Sequence, residues 1–337
     1  MKFHFCIWIA NAAAGLACAI SPVAISAETI GNAASVTPAW AYPISSPPKP
    51  STPSDIGQKR RVPNSPVELT QAQTVDRFAA PDWHPEEHPS MPDVVAHGLS
   101  PKVYACAYCH LPNGAGRSEN ASLAGLSAAY IVQQVADMKS GARRSSAPAM
   151  IEAMTDESKA VTDSEVQIAA EYFTKLKPKN GWIKVVEADT VPKTEVIPVN
   201  VLVPAKVGGT EPIGDRIIEI PTNPALTVLR DSQSGYIAYV PKGSLVRGKE
   251  LVTTGGTGKT IACATCHGNG LLGVGNIPLL AGRSPSYIFR QLYDIKAGVR
   301  MSTATALMKA PVANLTETDM VSIAAYIASL GQSTSKL

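Results

Sequence analysis

The chain has 337 residues, 45% of them hydrophobic and 17% charged, enough for one large core or two small ones. Thirty basic residues against 27 acidic ones leave a net charge of +3, and no block of like charge is long enough to form a nucleic-acid-binding tail. That excludes nucleic acid as a partner.

In chain order, residues 1–27 place Lys2 ahead of an apolar run, FCIWIANAAAGLACAI, followed by small residues up to Ala27, with Glu28 as the first acid. This layout predicts a secretory signal peptide cleaved near Ala27 and hence export to the periplasm. The rival reading is an uncleaved membrane anchor, because the run approaches the ~20 residues that a spanning helix needs. Residues 28–90 form an N-terminal extension, in which eight prolines between Pro38 and Pro66 predict a semi-extended, mobile tether over 37–66.

Two related stretches follow, at 91–178 and 243–333. Each holds a C-x-x-C-H motif, CAYCH at 106–110 and CATCH at 263–267. At the offset of 157 that aligns the motifs, LAGLSAAYIVQQVADMKSGAR (123–143) falls on LAGRSPSYIFRQLYDIKAGVR (280–300) with 11 of 21 positions identical. The chain therefore holds two copies of one unit. Ser127 and Ser284 are placed to cap a helix, Pro285 suits its first turn, and Gly141 and Gly298 suit its stop. TDSEVQIAAEYFTKL (162–176) and TETDMVSIAAYIASL (316–330) each open with Thr and carry an acid three residues later, and apolar residues then recur at helical spacing. Each copy is a short, mostly helical unit. Between them, residues 179–242 are rich in Pro, Val and Ile, which predicts extended segments and turns packed against the domains.

Residues 255–268, GGTGKTIACATCHG, set two signals against each other. A phosphate loop needs G-x-x-x-x-G-K-[ST], but Thr253 stands where its first glycine belongs. The second signal is sound. Two thiols three residues apart lie on about one helical turn, where both can add to the vinyl groups along one porphyrin edge, and the next residue swings its imidazole under the iron. With Cys6 and Cys18 in the leader, Cys106, Cys109, Cys263 and Cys266 are all committed to the two motifs. Zinc would find only three ligands at each site, and thiol exchange predicts neither the histidines nor the repeat. Two covalently attached haem c groups are expected, with His110 and His267 as axial iron ligands.

For the sixth ligand the second copy offers Met301, Met308 and Met320. Met308 stands eight residues before Thr316, and Met154 stands eight before Thr162, whereas Met150 and Met301 have no such counterpart. Met320 lies on the apolar face of the final helix. Met154 and Met308 are the expected ligands, their soft thioethers favouring ferrous iron. At the first haem the alternatives include His97, with His84 and His88 nearby. Arg143 and Arg300, at matching positions after the helix stop, are read either as partners of the haem propionates or as solvated groups.

With these residues the chain resembles the tandem class I dihaem cytochromes c, in particular the cytochrome c4-like group. The resemblance rests on the two C-x-x-C-H motifs, the LAG-x-S-x-x-Y-I block followed by Asp, Lys, Gly and Arg in both copies, and the methionine before each final helix. It implies a mainly α fold of two tandem class I cytochrome c domains, here joined by a Pro/Val-rich, partly extended linker where the group has a short one. It also implies His/Met ligation and periplasmic electron transfer between redox proteins: a dehydrogenase, a quinol-oxidising complex or a terminal oxidase. The expected role is electron carriage without substrate chemistry. One alternative is a dihaem peroxidase, which needs one iron with an open or releasable sixth position. Another is the cytochrome subunit of a membrane-bound dehydrogenase or oxidase, with the Pro-rich stretch as its arm.

Overall fold

A computed structural model describes residues 37–45 and 56–331, so the leader read at 1–27 lies outside the described residues. Helix dominates, with 13 α-helices and nine short strands among the described residues, and none of those helices is long and apolar enough to cross a membrane.

The repeated capping residues set the helices. Ser127 accepts the Tyr130 N–H to open Ala128–Ser140, which ends on left-handed Gly141, and Ser284 opens Pro285–Lys296 in the same way. Thr162 with Glu165 and Thr316 with Asp319 form reciprocal capping boxes at the starts of Asp163–Lys175 and Glu317–Ser329. The apolar stripe of the last helix, including Met320, Ile323, Ala324 and Ile327, is buried in a core shared with Phe289 and Leu292.

Helix Ser244–Thr254 crosses that last helix at Gly248, where an added Cβ would stand 2.0 Å from the Ser322 carbonyl oxygen. Only a residue without a side chain lets the two backbones approach so closely. An ionic clamp lies nearby: Lys259 Nζ is 2.6 Å from Asp319 Oδ2, and Arg247 pairs with Oδ1. Burial alone would raise the Asp319 carboxyl, but hydrogen bonds from Lys259, Thr316 and Arg247 outweigh it and hold the group well below the usual carboxylate range.

Between the copies the chain forms strands. Ile183–Ala188 runs parallel to Tyr236–Pro241, whose other edge pairs antiparallel with Ile218–Pro221. Tyr236, Ala238 and Val240 point inward at alternate positions and join the core that holds Phe289 and Ile323. Two antiparallel ribbons, Thr190–Pro192 with Thr210–Pro212 and Thr194–Ile197 with Val201–Pro204, lie between these strands in sequence.

The mobile tether read over 37–66 does not hold for residues 40–42. Trp40 packs with its ring centroid 4.5 Å from that of Phe289, and Ala41 and Tyr42 are buried. The Tyr42 hydroxyl donates to Asp294 Oδ1 at 2.7 Å, and the Ser146 N–H donates to the same oxygen at 2.9 Å. Two aromatic rings supply enough apolar surface to dock a stretch that proline content alone marks as free.

The copies meet through related atoms. Arg143 and Arg300 form an antiparallel bridge, flanked by Arg144 N–H to Val299 O at 3.0 Å and Met301 N–H to Ala142 O at 2.7 Å. Each pair maps onto the other at the 157-residue offset, so the contact is a pseudo-twofold one.

Gly248→Ala should destabilise the protein by about 1–3 kcal/mol, because a buried methyl must push the two helices apart. Urea denaturation checks this, and wild-type stability in the variant would show that the close crossing carries no packing constraint.

Candidate functional site

The short helix Cys106–His110 sets two thiols and an imidazole on the wall of a cavity of about 210 Å³. Much of the remaining wall is apolar, with Leu123, Leu126, Ile131, Met138, Val166 and Phe173. Met150 and Met154, four residues apart, both reach it. An apolar slot with two cysteines and a histidine on its wall fits a flat, hydrophobic macrocycle held covalently, as haem c is.

His110 Nδ1 lies 2.8 Å from the Ala121 carbonyl oxygen. A carbonyl can only accept, so Nδ1 carries the proton and the Nε2 lone pair is left for a metal. Burial lowers the His110 pKa despite that hydrogen bond, which favours the neutral imidazole that iron binds. His267 repeats the arrangement, with Nδ1 2.8 Å from Pro278 O, and burial lowers its pKa as well. Donor and acceptor both stand 157 residues beyond their counterparts in the first copy.

Among the described residues, Cys106, Cys109, Cys263 and Cys266 form no disulfide. Burial pushes Cys106 up to about 12 and Cys263 up to about 11, and raises Cys109. Thiol exchange depends on a lowered pKa, and burial moves Cys106, Cys109 and Cys263 the other way. Met308 sits half-buried against the second copy's core, immediately before helix Lys309–Ala313. Met320 is buried in that core, while Met301 is 47% exposed.

The three upstream histidines stand elsewhere, and none of them lines the cavity. His84 is buried with Nε2 2.9 Å from Asp231 Oδ1, His88 bonds Asp82 at 3.1 Å, and His97 is exposed at the end of helix Asp93–Ala96. Glu157 does reach the cavity. Its Oε2 accepts the Tyr104 N–H at 2.9 Å, and burial pushes its carboxyl up to about 7 against the effect of that bond.

Arg143 donates to Gln134 at 3.1 Å and to Tyr287 of the other copy at 3.0 Å. Arg300 donates to Gln291 at 2.9 Å and to Tyr130 and Gln134 of the other copy at 3.1 and 2.7 Å. Arg143, Gln134, Tyr130 and Tyr287 all line the first cavity, so its wall includes a residue from the second copy. The tyrosines and glutamines did not stand out in the sequence as site residues. Their signal was present, since Tyr130/Tyr287 and Gln134/Gln291 are among the identities of the repeated block.

Residues 245–331 match the cytochrome c family. Over 233 residues the chain is 25% identical to the thiosulfate dehydrogenase electron acceptor of Thiomonas intermedia, covering 68% of this chain and 79% of that protein. Over 76 residues it is 41% identical to cytochrome c4 of Pseudomonas aeruginosa, covering 22% of this chain and 36% of that one. Among solved structures, cytochrome c4 of Acidithiobacillus ferrooxidans aligns with 66% of this chain and 98% of its own, at 22% identity and a TM-score of 0.44. The chain thus contains a cytochrome c domain, the kind that carries covalently bound haem c and its iron, and it is an electron-transfer protein related to the cytochromes c4 and to the thiosulfate dehydrogenase electron acceptor.

Proposed function

We propose that the chain is a periplasmic two-haem electron carrier, with one haem c on Cys106 and Cys109 under His110 and a second on Cys263 and Cys266 under His267. The observation that supports this best is the repeated imidazole lock, in which His110 and His267 each hold a carbonyl oxygen at 2.8 Å and face the same way in the repeat. Bound haem supplies the chemistry, a one-electron change between ferric and ferrous iron. The protein's share is to fix the porphyrin edge through two cysteines, hold one histidine tautomer, and keep water off the apolar face.

Met154 and Met308 would hold the irons from the faces opposite the histidines. Met154 lies on the cavity wall, and Met308 occupies the matching position before the last helix. Met150 also reaches the cavity, but only Met154 has a partner in the second copy. Residues 91–178 and 243–333 act as tandem domains linked by 179–242. With Met154 and Met308 as ligands opposite His110 and His267, bound irons would keep no open position for a substrate, which favours electron relay over turnover of a small molecule. The relative that covers most of the chain accepts electrons from thiosulfate dehydrogenase, which favours a dehydrogenase of inorganic sulfur compounds as the donor.

A pyridine haemochrome assay should count two haems per chain, and magnetic circular dichroism of the oxidised protein should show methionine-to-iron charge transfer from both. Met308→Ala should leave its haem attached yet open one iron to imidazole. A bis-histidine or high-spin haem in the wild type would overturn the symmetric ligation.

Glu157 adds a pH dependence. Its carboxylate, once ionised, stabilises ferric over ferrous iron in the first cavity, so the potential of that haem should fall as pH rises through about 7. Potentiometric titrations between pH 5 and pH 9 test this, with Glu157→Gln expected to flatten the dependence.

A further inference from the structure

The two attachment motifs have unlike surroundings. In the first copy Ala107, Tyr108, Ala115 and Arg117 are buried, whereas at matching positions of the second copy Ala264 and Thr265 are exposed, Leu272 is 69% exposed and Val274 58%. The cover on the first copy comes partly from residues 229–233 of the inter-repeat segment. Trp83 Nε1 donates to Leu229 O at 2.7 Å, Asn113 donates to Ser232 O at 3.1 Å, and Asp231 holds buried His84.

At the centre of this cover is Arg230. Its guanidinium carbon lies 3.5 Å from the ring centroid of Tyr108, between the two cysteines of the motif, and Nη1 donates to the Tyr108 carbonyl at 2.9 Å. The residue is 5% exposed and holds a left-handed backbone with φ 61°. Among the described residues it makes no ion pair. A second buried guanidinium, Arg117, is paired to Glu119 at 2.6 Å. The positions in the second copy that match Tyr108, Arg117 and Glu119 are Thr265, Val274 and Asn276, none of them charged.

We infer that Arg230 raises the reduction potential of the haem at the first motif, so that the inter-repeat segment makes the two haems electrostatically unequal. This rests on the two-haem reading above. Reduction removes one positive charge from the iron, and a fixed cation in a low-dielectric setting disfavours the ferric state more than the ferrous one. Exclusion of water by the same loop acts in the same direction, because it strengthens the field of the cation.

The test uses the holoprotein of the full chain, with haems counted by pyridine haemochrome and both midpoints read by mediated potentiometry at about pH 6, where Glu157 is mostly protonated. Arg230→Gln should lower one midpoint by about tenfold in the reduction equilibrium, about 59 mV for one electron, and leave the other in place. Arg230→Lys, which keeps the charge, should stay near wild type. No shift in Arg230→Gln, an equal shift of both waves, or an equal loss in Arg230→Lys would overturn the inference. If Arg230→Gln fails to fold, Arg230→Met, which removes the charge but keeps an unbranched side chain of similar length, provides the reading: it should lower the same midpoint alone, and unmoved midpoints would refute the inference. A count below two haems would instead overturn the reading on which the inference rests, and it registers before any potential is measured.

Discussion

Arg143 and Arg300 stand side by side on paired backbone, and the placement of the two copies depends on keeping these like charges together. Two guanidiniums at short range repel each other, more strongly the less water is present. Amide and phenol oxygens hold the pair in place: Gln134 and Gln291 each accept from both arginines, and Tyr287 and Tyr130 take one each from across the contact. The two glutamine amides carry no charge, so they orient the guanidiniums without cancelling them, while, against the effect of burial, the arginines hold the Tyr287 phenol below its usual range. The cofactor proposed for the neighbouring cavity carries carboxylates, and an arginine pair that makes no salt bridge among the described residues is electrostatically suited to them. The wall of the first cavity and the docking of the copies therefore share Arg143, Gln134, Tyr130 and Tyr287.

Local chemistry made much of this legible. A capping serine, a Thr with an acid three residues on, and a glycine at a helix stop act within one turn, so Ser127, Ser284, Thr162, Thr316 and Gly141 could be placed without knowledge of the fold. The two C-x-x-C-H motifs were legible for the same reason. The carbonyls that fix the two imidazoles were not, because Ala121 and Pro278 act through their backbones and leave no side-chain signature.

What escaped was set by contacts distant in sequence. Periodicity can mark Tyr236–Pro241 as extended, but it cannot reveal that its parallel neighbour begins at Ile183, about fifty residues earlier. Proline content set the expectation for residues 37–66, and it averaged away the two rings that dock Trp40 and Tyr42. The stacking of Arg230 on Tyr108 spans 122 residues, and neither residue belongs to a motif that would draw attention to the other.

The inter-repeat segment therefore does more than connect. Its strands complete the core of the second copy, while its loop at 229–233 reaches the C-x-x-C-H motif of the first. Packing alone does not account for Arg230. A left-handed backbone at a residue with a full side chain costs about 1–2 kcal/mol, and burying a guanidinium without a carboxylate adds a desolvation cost. An apolar side chain of similar volume would bear the same backbone cost but not the desolvation cost. The side-chain hydrogen bond and the ring contact of Arg230 both go to Tyr108, so the feature that distinguishes it from an apolar filler is the charge it brings to the first motif.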